Sequence, residues 1–86
     1  MQNTQPLPKI TPTHRYHAHR VMRDLTPGSL EERAIRKATY IESFPASYPT
    51  VMFRWAEEVL LALWDMRPWS EVEALFVKAD GAGWLK

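Results

Sequence analysis

Three histidines lie within six residues near the start of the chain, at His14, His17 and His19. Neutral imidazole is a common metal ligand in proteins, so this spacing is the first feature that could do chemistry. On a helix, His14 and His17 share one face, whereas His19 points elsewhere. No cysteine is present to complete a familiar zinc set. We therefore interpret the segment as an exposed basic stretch and predict neither a metal site nor a cofactor.

No other group of residues forms a catalytic pattern. Glu57 and Glu58 are adjacent carboxylates, but on a helix their side chains diverge by about a hundred degrees. Paired acid–base chemistry needs two carboxylates that face one cavity. None of the serines lies in a nucleophile elbow, and all three glycines lie in breakers or near the end of the chain, so no phosphate-binding loop is predicted. We expect a protein without catalytic residues that is not an enzyme.

Basic residues are concentrated in the first half of the chain. Residues 1–40 carry seven Lys and Arg against three Asp and Glu, whereas residues 41–86 carry four against seven. The net charge of +1 therefore combines a half of +4 with a half of −3. Such an asymmetry either attracts a charged partner or holds the two halves against each other. The basic residues of interest are Arg15, Arg20, Arg23, Arg33, Arg36 and Lys37.

These basic residues make a DNA- or RNA-binding regulator the alternative function. Their contacts to phosphates would supply sequence-independent affinity, and Tyr16 and Tyr40 are available to stack on bases. Two helices joined by a short glycine-containing turn are also typical of a helix-turn-helix. Against this, the isoelectric point is about 8.1, below the value of about 9 typical of dedicated nucleic-acid-binding domains. Glu31 and Glu32 would also begin the recognition helix, where they repel DNA.

Four tryptophans are many for 86 residues and carry the remaining functional signal. Trp55 is placed for the core, and the other three either complete that core or form a contact surface. Tryptophan is enriched at the energetic centres of protein interfaces. Leu61 is the apolar member of an otherwise acidic row on the third helix, between Glu57 and Asp65. The predicted protein interface contains Leu61, Trp64, Trp69, Glu57 and Trp84.

The stretch Val51–Met66 predicts the element that must position these residues. It has helical periodicity but is apolar around most of its circumference, so it needs neighbours on several sides. We predict an all-α fold, a small three- to four-helix bundle around a central hydrophobic helix at about 50–66. The other helices are predicted at 13–25, 29–44 and 70–79. Thr13, Ser29, Thr50 and Ser70 are the predicted N-caps, and Gly81 is the predicted left-handed stop.

Residues 1–12 contain three prolines and predict an extended arm, which leaves 13–86 as a single helical domain. The longest apolar run, Val59–Trp64, is far shorter than the about 20 residues that span a bilayer. The first residues lack the basic start and apolar run of a signal peptide. We therefore expect a cytoplasmic protein that does not enter membranes.

Together these features predict a non-enzymatic interaction protein. It would be an accessory factor, inhibitor or adaptor that binds a larger protein, or a homodimer that covers its own apolar surface. Small regulators of this type are common on phages and plasmids, although no residue demonstrates that origin. Nucleic-acid binding through the first two helices is the alternative.

Overall fold

The computed structural model of the protein describes residues 10–86 and contains four α-helices and no strand within that range. This confirms the predicted all-helical bundle. The helices are α1 (Pro12–Arg23), α2 (Leu30–Ser43), α3 (Thr50–Trp64) and α4 (Trp69–Gly81), with a short 3₁₀ helix at Pro45–Ser47. No helix in the described range is long and apolar enough to cross a membrane.

Helix α3 packs against all three other helices, as expected for the central helix. Its side chains from Trp55 to Leu63 supply much of the core, and both Val59 and Leu60 are completely buried. Met66, the last residue of the predicted central helix, is 85% exposed, because α3 ends at Trp64 and the chain leaves the helix there.

Helix α2 is as central as α3, since it also packs against every other helix. Ala34, Ile35, Ala38 and Ile41 are fully buried along it. The two alanines leave room for a close approach of neighbouring helices, because interaxial distance depends on side-chain size at the contact. Phe44, the last residue of the helix predicted at 29–44, is the C-cap of α2 and is exposed.

Helix α1 begins earlier than its spacing predicts. Thr11, rather than Thr13, is the N-cap, and its side chain accepts a hydrogen bond from the backbone N–H of His14. Ile10 precedes this cap and is buried in the core. The predicted proline-containing arm covers residues 1–12, and residues 1–9 of it lie outside the described part of the chain.

Helix α2 begins at the predicted cap. The side chain of Ser29 accepts a hydrogen bond from the backbone N–H of Glu32. The preceding turn is closed by a 3.0 Å bond from Ser29 N–H to the Thr26 carbonyl, and Gly28 has a φ of +82°. Proline followed by left-handed glycine is typical of a type II turn, so Pro27 and Gly28 place the N-terminus of α2 beside the end of α1.

Helices α3 and α4 have no side-chain cap, so the predicted caps Thr50 and Ser70 are wrong. Pro49 and Pro68 are the N-cap residues, and Thr50 and Trp69 are already helical. A proline at the start of a helix has no N–H to satisfy, and its fixed φ directs the chain into the first turn.

Both helices end in a Schellman motif. In α4, Trp84 N–H bonds to the Ala79 carbonyl, and Gly83, not the predicted Gly81, has the positive φ. In α3, Arg67 N–H bonds to the Ala62 carbonyl, and the left-handed residue is Met66, with a φ of +54°. A residue other than glycine is unfavourable there.

Candidate binding surface on helix α1 and Trp64

Trp64 is held by two histidines while much of its indole stays exposed. Its ring centroid lies 4.9 Å from that of His14 and 5.5 Å from that of His17, both in edge-to-face geometry. The side chain is nevertheless 43% exposed. Edge-to-face aromatic pairs add about 0.5–1.5 kcal/mol each beyond the burial of area. The indole is therefore fixed in orientation and accessible from outside.

Hydrogen bonds orient the two histidines. Nδ1 of His14 accepts from the backbone N–H of Thr11 at 3.0 Å, which completes a capping box at the start of α1. Nε2 of His17 donates to the Leu63 carbonyl at 3.2 Å and so links α1 to the last turn of α3. Across the described residues 10–86 no three His, Cys, Asp or Glu side chains come together as metal ligands. His14 and His17 are each held by a hydrogen bond to the backbone and pack edge-on against Trp64.

An open groove of about 370 Å³ runs beside the exposed indole, and we call it the Trp64 groove. Its lining comes from α1 and from the end of α3: Thr13, Tyr16, His17, Arg20, Val21, Asp24 and Trp64. Tyr16 is 63% exposed at its rim. Aromatic and aliphatic side chains thus lie next to a single arginine and a single aspartate.

A second cavity of about 370 Å³ lies between α1 and α2, and we call it the α1–α2 cleft. It is lined by Tyr16, His19, Arg20, Met22, Arg23, Leu25, Pro27, Glu32 and Arg36. Tyr16 and Arg20 line both cavities, since they lie one turn apart on α1. The two cavities therefore flank one ridge of the same helix.

Glu32 is the single carboxylate in the lining of the α1–α2 cleft, and it is already satisfied. Its Oε1 accepts from Gly28 N–H at 3.1 Å, and its Oε2 accepts from Nε of Arg36 at 2.8 Å. The bond from Gly28 and the ion pair with Arg36 hold the pKa of Glu32 below its usual value of 4.5, despite the burial of the carboxylate. The carboxylate stays ionised and neutralised at neutral pH, and it does not oppose an incoming anion strongly.

The structure assigns intramolecular partners to four of the six predicted nucleic-acid contacts. Arg15 lies 3.9 Å from the Glu42 carboxylate, and Arg36 pairs with Glu32. Nε of Arg33 donates to the Gly28 carbonyl, while Nζ of Lys37 lies 5.5 Å from the Tyr48 ring centroid. Within residues 10–86, Arg20 and Arg23 have no carboxylate within 4.0 Å, and both are exposed on the cleft.

The predicted protein-interface residues fall into separate environments. Trp64 packs against α1, whereas Trp69 lies edge-on to Phe76 of α4 with 42% of its surface exposed. Trp84 is half-buried against Trp55, 5.7 Å between ring centroids. Leu61 is half-buried against the core, and Glu57 is half-buried on the same helix. Trp64 lines the Trp64 groove, and the other four members line neither of the two cavities described above.

Two exposed aromatic features were not assigned to the protein interface from the sequence, although Tyr16 and Tyr40 were considered for stacking on bases. Tyr16 lines both cavities. The rings of Tyr40 and Phe44 are tilted against each other at the end of α2 with centroids 5.0 Å apart, and Tyr48 lies edge-on to Tyr40. The sequence signal was the i, i+4 spacing of Tyr16 with Arg20 and of Tyr40 with Phe44, which places each pair on one helix face.

Glu42 is a poorly satisfied carboxylate between α1, α2 and α3. Its side chain is 9% exposed, and its Oε2 has no hydrogen-bond partner among the described residues. Burial raises the pKa of Glu42, the negative charge of Glu57 raises it further, and Arg15 opposes both. Because the carboxylate opens to no cavity described above, we treat it as a stability feature and not as part of the binding surface.

Comparison with known proteins yields no family model, no curated protein and no solved structure that matches this chain significantly.

Proposed function

We propose that the protein is a non-enzymatic interaction module that binds a larger protein through the Trp64 groove. The observation that carries the proposal is the exposed indole held edge-on by His14 and His17. A side chain that is rigid before binding loses little conformational entropy on contact, and tryptophan is the residue most enriched at interface hot spots. We also propose that the protein is cytoplasmic, as expected from the sequence.

The surroundings of the groove support binding over catalysis. Nδ1 of His14 and Nε2 of His17 take part in hydrogen bonds that order the backbone. The groove offers further apolar contact at Tyr16 and Val21. Met66, only two residues beyond Trp64, is highly exposed. Apolar surface left outside the core of a small domain is typical of interaction sites.

The proposal is tested by capture from a lysate of the source organism on the immobilised protein, with nuclease treatment. We expect a partner protein that is retained after nuclease and lost with Trp64→Ala. Val77→Ala is the matched control, because Val77 is an exposed apolar residue on α4, away from the groove. Both variants must keep the native circular dichroism spectrum. Retention of every partner by folded Trp64→Ala would refute the proposal.

The second candidate is a nucleic-acid-binding regulator, and the position of Arg20 and Arg23 beside Tyr16 favours it. Two phosphate contacts would give a salt dependence of log K with a slope of about −1.8, since each contact contributes about −0.9 on duplex DNA. Replacing Arg20 and Arg23 by Gln should then abolish that dependence. If random-sequence DNA and RNA bind the variant and the native protein equally, this candidate is excluded.

A further inference from the structure

We propose that the segment of the partner that docks here is an acidic, amphipathic peptide that occupies the α1–α2 cleft and extends over Tyr16 into the Trp64 groove. This inference rests on the proposed function and specifies the chemistry of the partner. Because Tyr16 and Arg20 line both cavities, a ligand in one cavity lies directly beside the other. The two form one strip along α1.

The charge around the cleft selects for carboxylates. Arg20, Arg23 and Arg36 line it, and Glu32 is the single acidic residue in the lining. Glu32 is already satisfied by Gly28 N–H and Arg36, so Arg20 and Arg23 are left to face the ligand. A guanidinium presents a planar fork of donors that matches a carboxylate in two parallel hydrogen bonds. An acidic side chain is therefore the complementary group.

The apolar part of the lining selects for a peptide over a nucleic acid. Met22, Leu25 and Pro27 contribute to the same cleft, and Trp64 and Val21 contribute to the neighbouring groove. A phosphate backbone gains nothing from these side chains, whereas an amphipathic helix buries its apolar face in such a groove at i, i+3 and i+4 positions. The strip thus combines apolar side chains with the guanidinium groups of Arg20 and Arg23, and its carboxylates are Glu32 in the cleft and Asp24 in the groove.

The test is selection of a random peptide library, displayed on phage, against the immobilised 86-residue chain. We expect enriched peptides that carry large apolar residues at i, i+3 and i+4 spacing on one helix face and Asp or Glu beside that face. The best peptide is then synthesised and titrated while the fluorescence anisotropy of its label is measured. Arg20→Glu with Arg23→Glu should weaken its binding by at least about tenfold, because each reversal replaces an attraction by a repulsion.

Arg54→Glu with Lys86→Glu is the control pair, since it makes the same change in net charge at exposed positions outside both cavities. It should leave the affinity within about twofold, because neither side chain lines a cavity and exposed charges that make no direct contact contribute little. If circular dichroism shows that the Arg20→Glu, Arg23→Glu variant does not fold, the variant with Gln at both positions is used in its place.

Three outcomes would overturn the inference. If the enriched peptides are neutral or basic and depend on Trp64 but not on the arginines, the acidic partner is refuted while the proposed function stands. If a random-sequence oligonucleotide displaces the acidic peptide and binds more tightly, the strip is a nucleic-acid site. If neither selection nor lysate capture yields a ligand, the inference and the proposed function fail together.

Discussion

Glu32 and Glu42 both lie in α2, yet the pKa values of their carboxylates shift in opposite directions, because hydrogen bonds dominate at Glu32 and burial dominates at Glu42. The pKa of Glu32 is lowered by Gly28 N–H and Arg36. Its contribution to stability is complete above the usual value of 4.5 and is lost as pH falls through the lowered pKa. The pKa of Glu42 is raised by burial, with Arg15 only 3.9 Å away as partial compensation.

Replacing Glu42 by Gln should therefore stabilise the protein near neutral pH. The raised pKa means that the ionised carboxylate is disfavoured in the folded state at pH values above that pKa. We expect Glu42→Gln to raise the free energy of unfolding at pH 7 by about 1 kcal/mol, the low end of the cost of an unsatisfied buried group. Urea denaturation measures this gain.

The gain should shrink on acidification, because native Glu42 takes up a proton as pH falls through its raised pKa and the charge penalty disappears. By pH 4.5, the usual value, most of the difference between variant and native protein should be gone. Glu58→Gln, at an exposed position of α3, is the control and should change stability little at either pH. A gain for Glu42→Gln that is the same at both pH values would contradict this explanation.

Met66 carries the clearest backbone strain in the described part of the chain, with a positive φ at a position where glycine is preferred. The left-handed conformation costs a residue with a Cβ roughly 1–2 kcal/mol, whereas glycine adopts it freely. Since the side chain is almost fully exposed, Met66→Gly should lose little burial. We expect a net gain of about 0.5–1 kcal/mol in thermal or urea unfolding, after the entropy cost of glycine.

Met66→Ala is the matched comparison, because it removes the same exposed side chain but keeps the Cβ. It should give no comparable gain. Equal stabilities of the Gly and Ala variants would show that φ at this position does not limit the stability of the native protein.

Among the elements, α1 depends most on its first turn. The reciprocal bonds between Thr11 and His14 satisfy backbone groups there and also orient the imidazole that supports Trp64. Thr11→Ala should lower the free energy of unfolding by about 1 kcal/mol, the typical cost of losing an N-cap. It should also increase the mobility of Trp64, measured as a lower fluorescence anisotropy in a variant whose other three tryptophans are replaced by Phe.

Thr13→Ala is the control for this prediction, because Thr13 was the N-cap predicted from the sequence. Thr13 is exposed within the helix, where alanine has the higher helix propensity. It should leave stability unchanged or slightly raised. A greater loss with Thr13→Ala than with Thr11→Ala would place the functional cap at Thr13.

The local sequence pattern predicted the four helices correctly, but it predicted the residues at which they begin and end less well. The apolar spacing of Val59 and Leu60 predicts a central helix, and Ser29 predicts the start of α2, because both depend on residues within one or two turns. Phe44 and Met66 are the last residues of the predicted helices at 29–44 and 50–66, but α2 ends at Ser43 and α3 at Trp64, because the local pattern does not show where a helix stops. The N-caps of α3 and α4 are Pro49 and Pro68, whereas Thr50 and Ser70 were predicted.

The candidate site was less predictable than the fold. Trp64 was chosen from the sequence, but its contact with His17 joins residues 47 positions apart, through a bond to Leu63 that is 46 positions away. Such long-range packing has no local signal. The histidines were recognised as unusual only through their own spacing, which was interpreted as an exposed basic segment and gave no sign that two of them pack against an indole.

At the scale of the whole molecule, few ion pairs within the described residues join the basic half of the chain to the acidic half. Among the described residues, Arg15 with Glu42 is the one ion pair that joins the basic and acidic halves. Arg36 with Glu32 and Arg67 with Glu71 each lie within one half. The interpretation in which the halves merely neutralise each other is therefore weak, and the exposed Arg20 and Arg23 can act on a partner.

The same charges argue against self-association through the α1–α2 cleft. In a two-fold symmetric dimer, the same patch faces itself, so Arg20 and Arg23 would approach the corresponding arginines of the second copy. Like charges facing each other across an interface are unfavourable, most of all at low ionic strength. We expect sedimentation velocity at low salt to show a monomer of 10.0 kDa, with any dimer appearing only as salt increases. A dimer at low salt that Trp64→Ala dissociates would instead identify a second copy of the chain as the occupant of the groove.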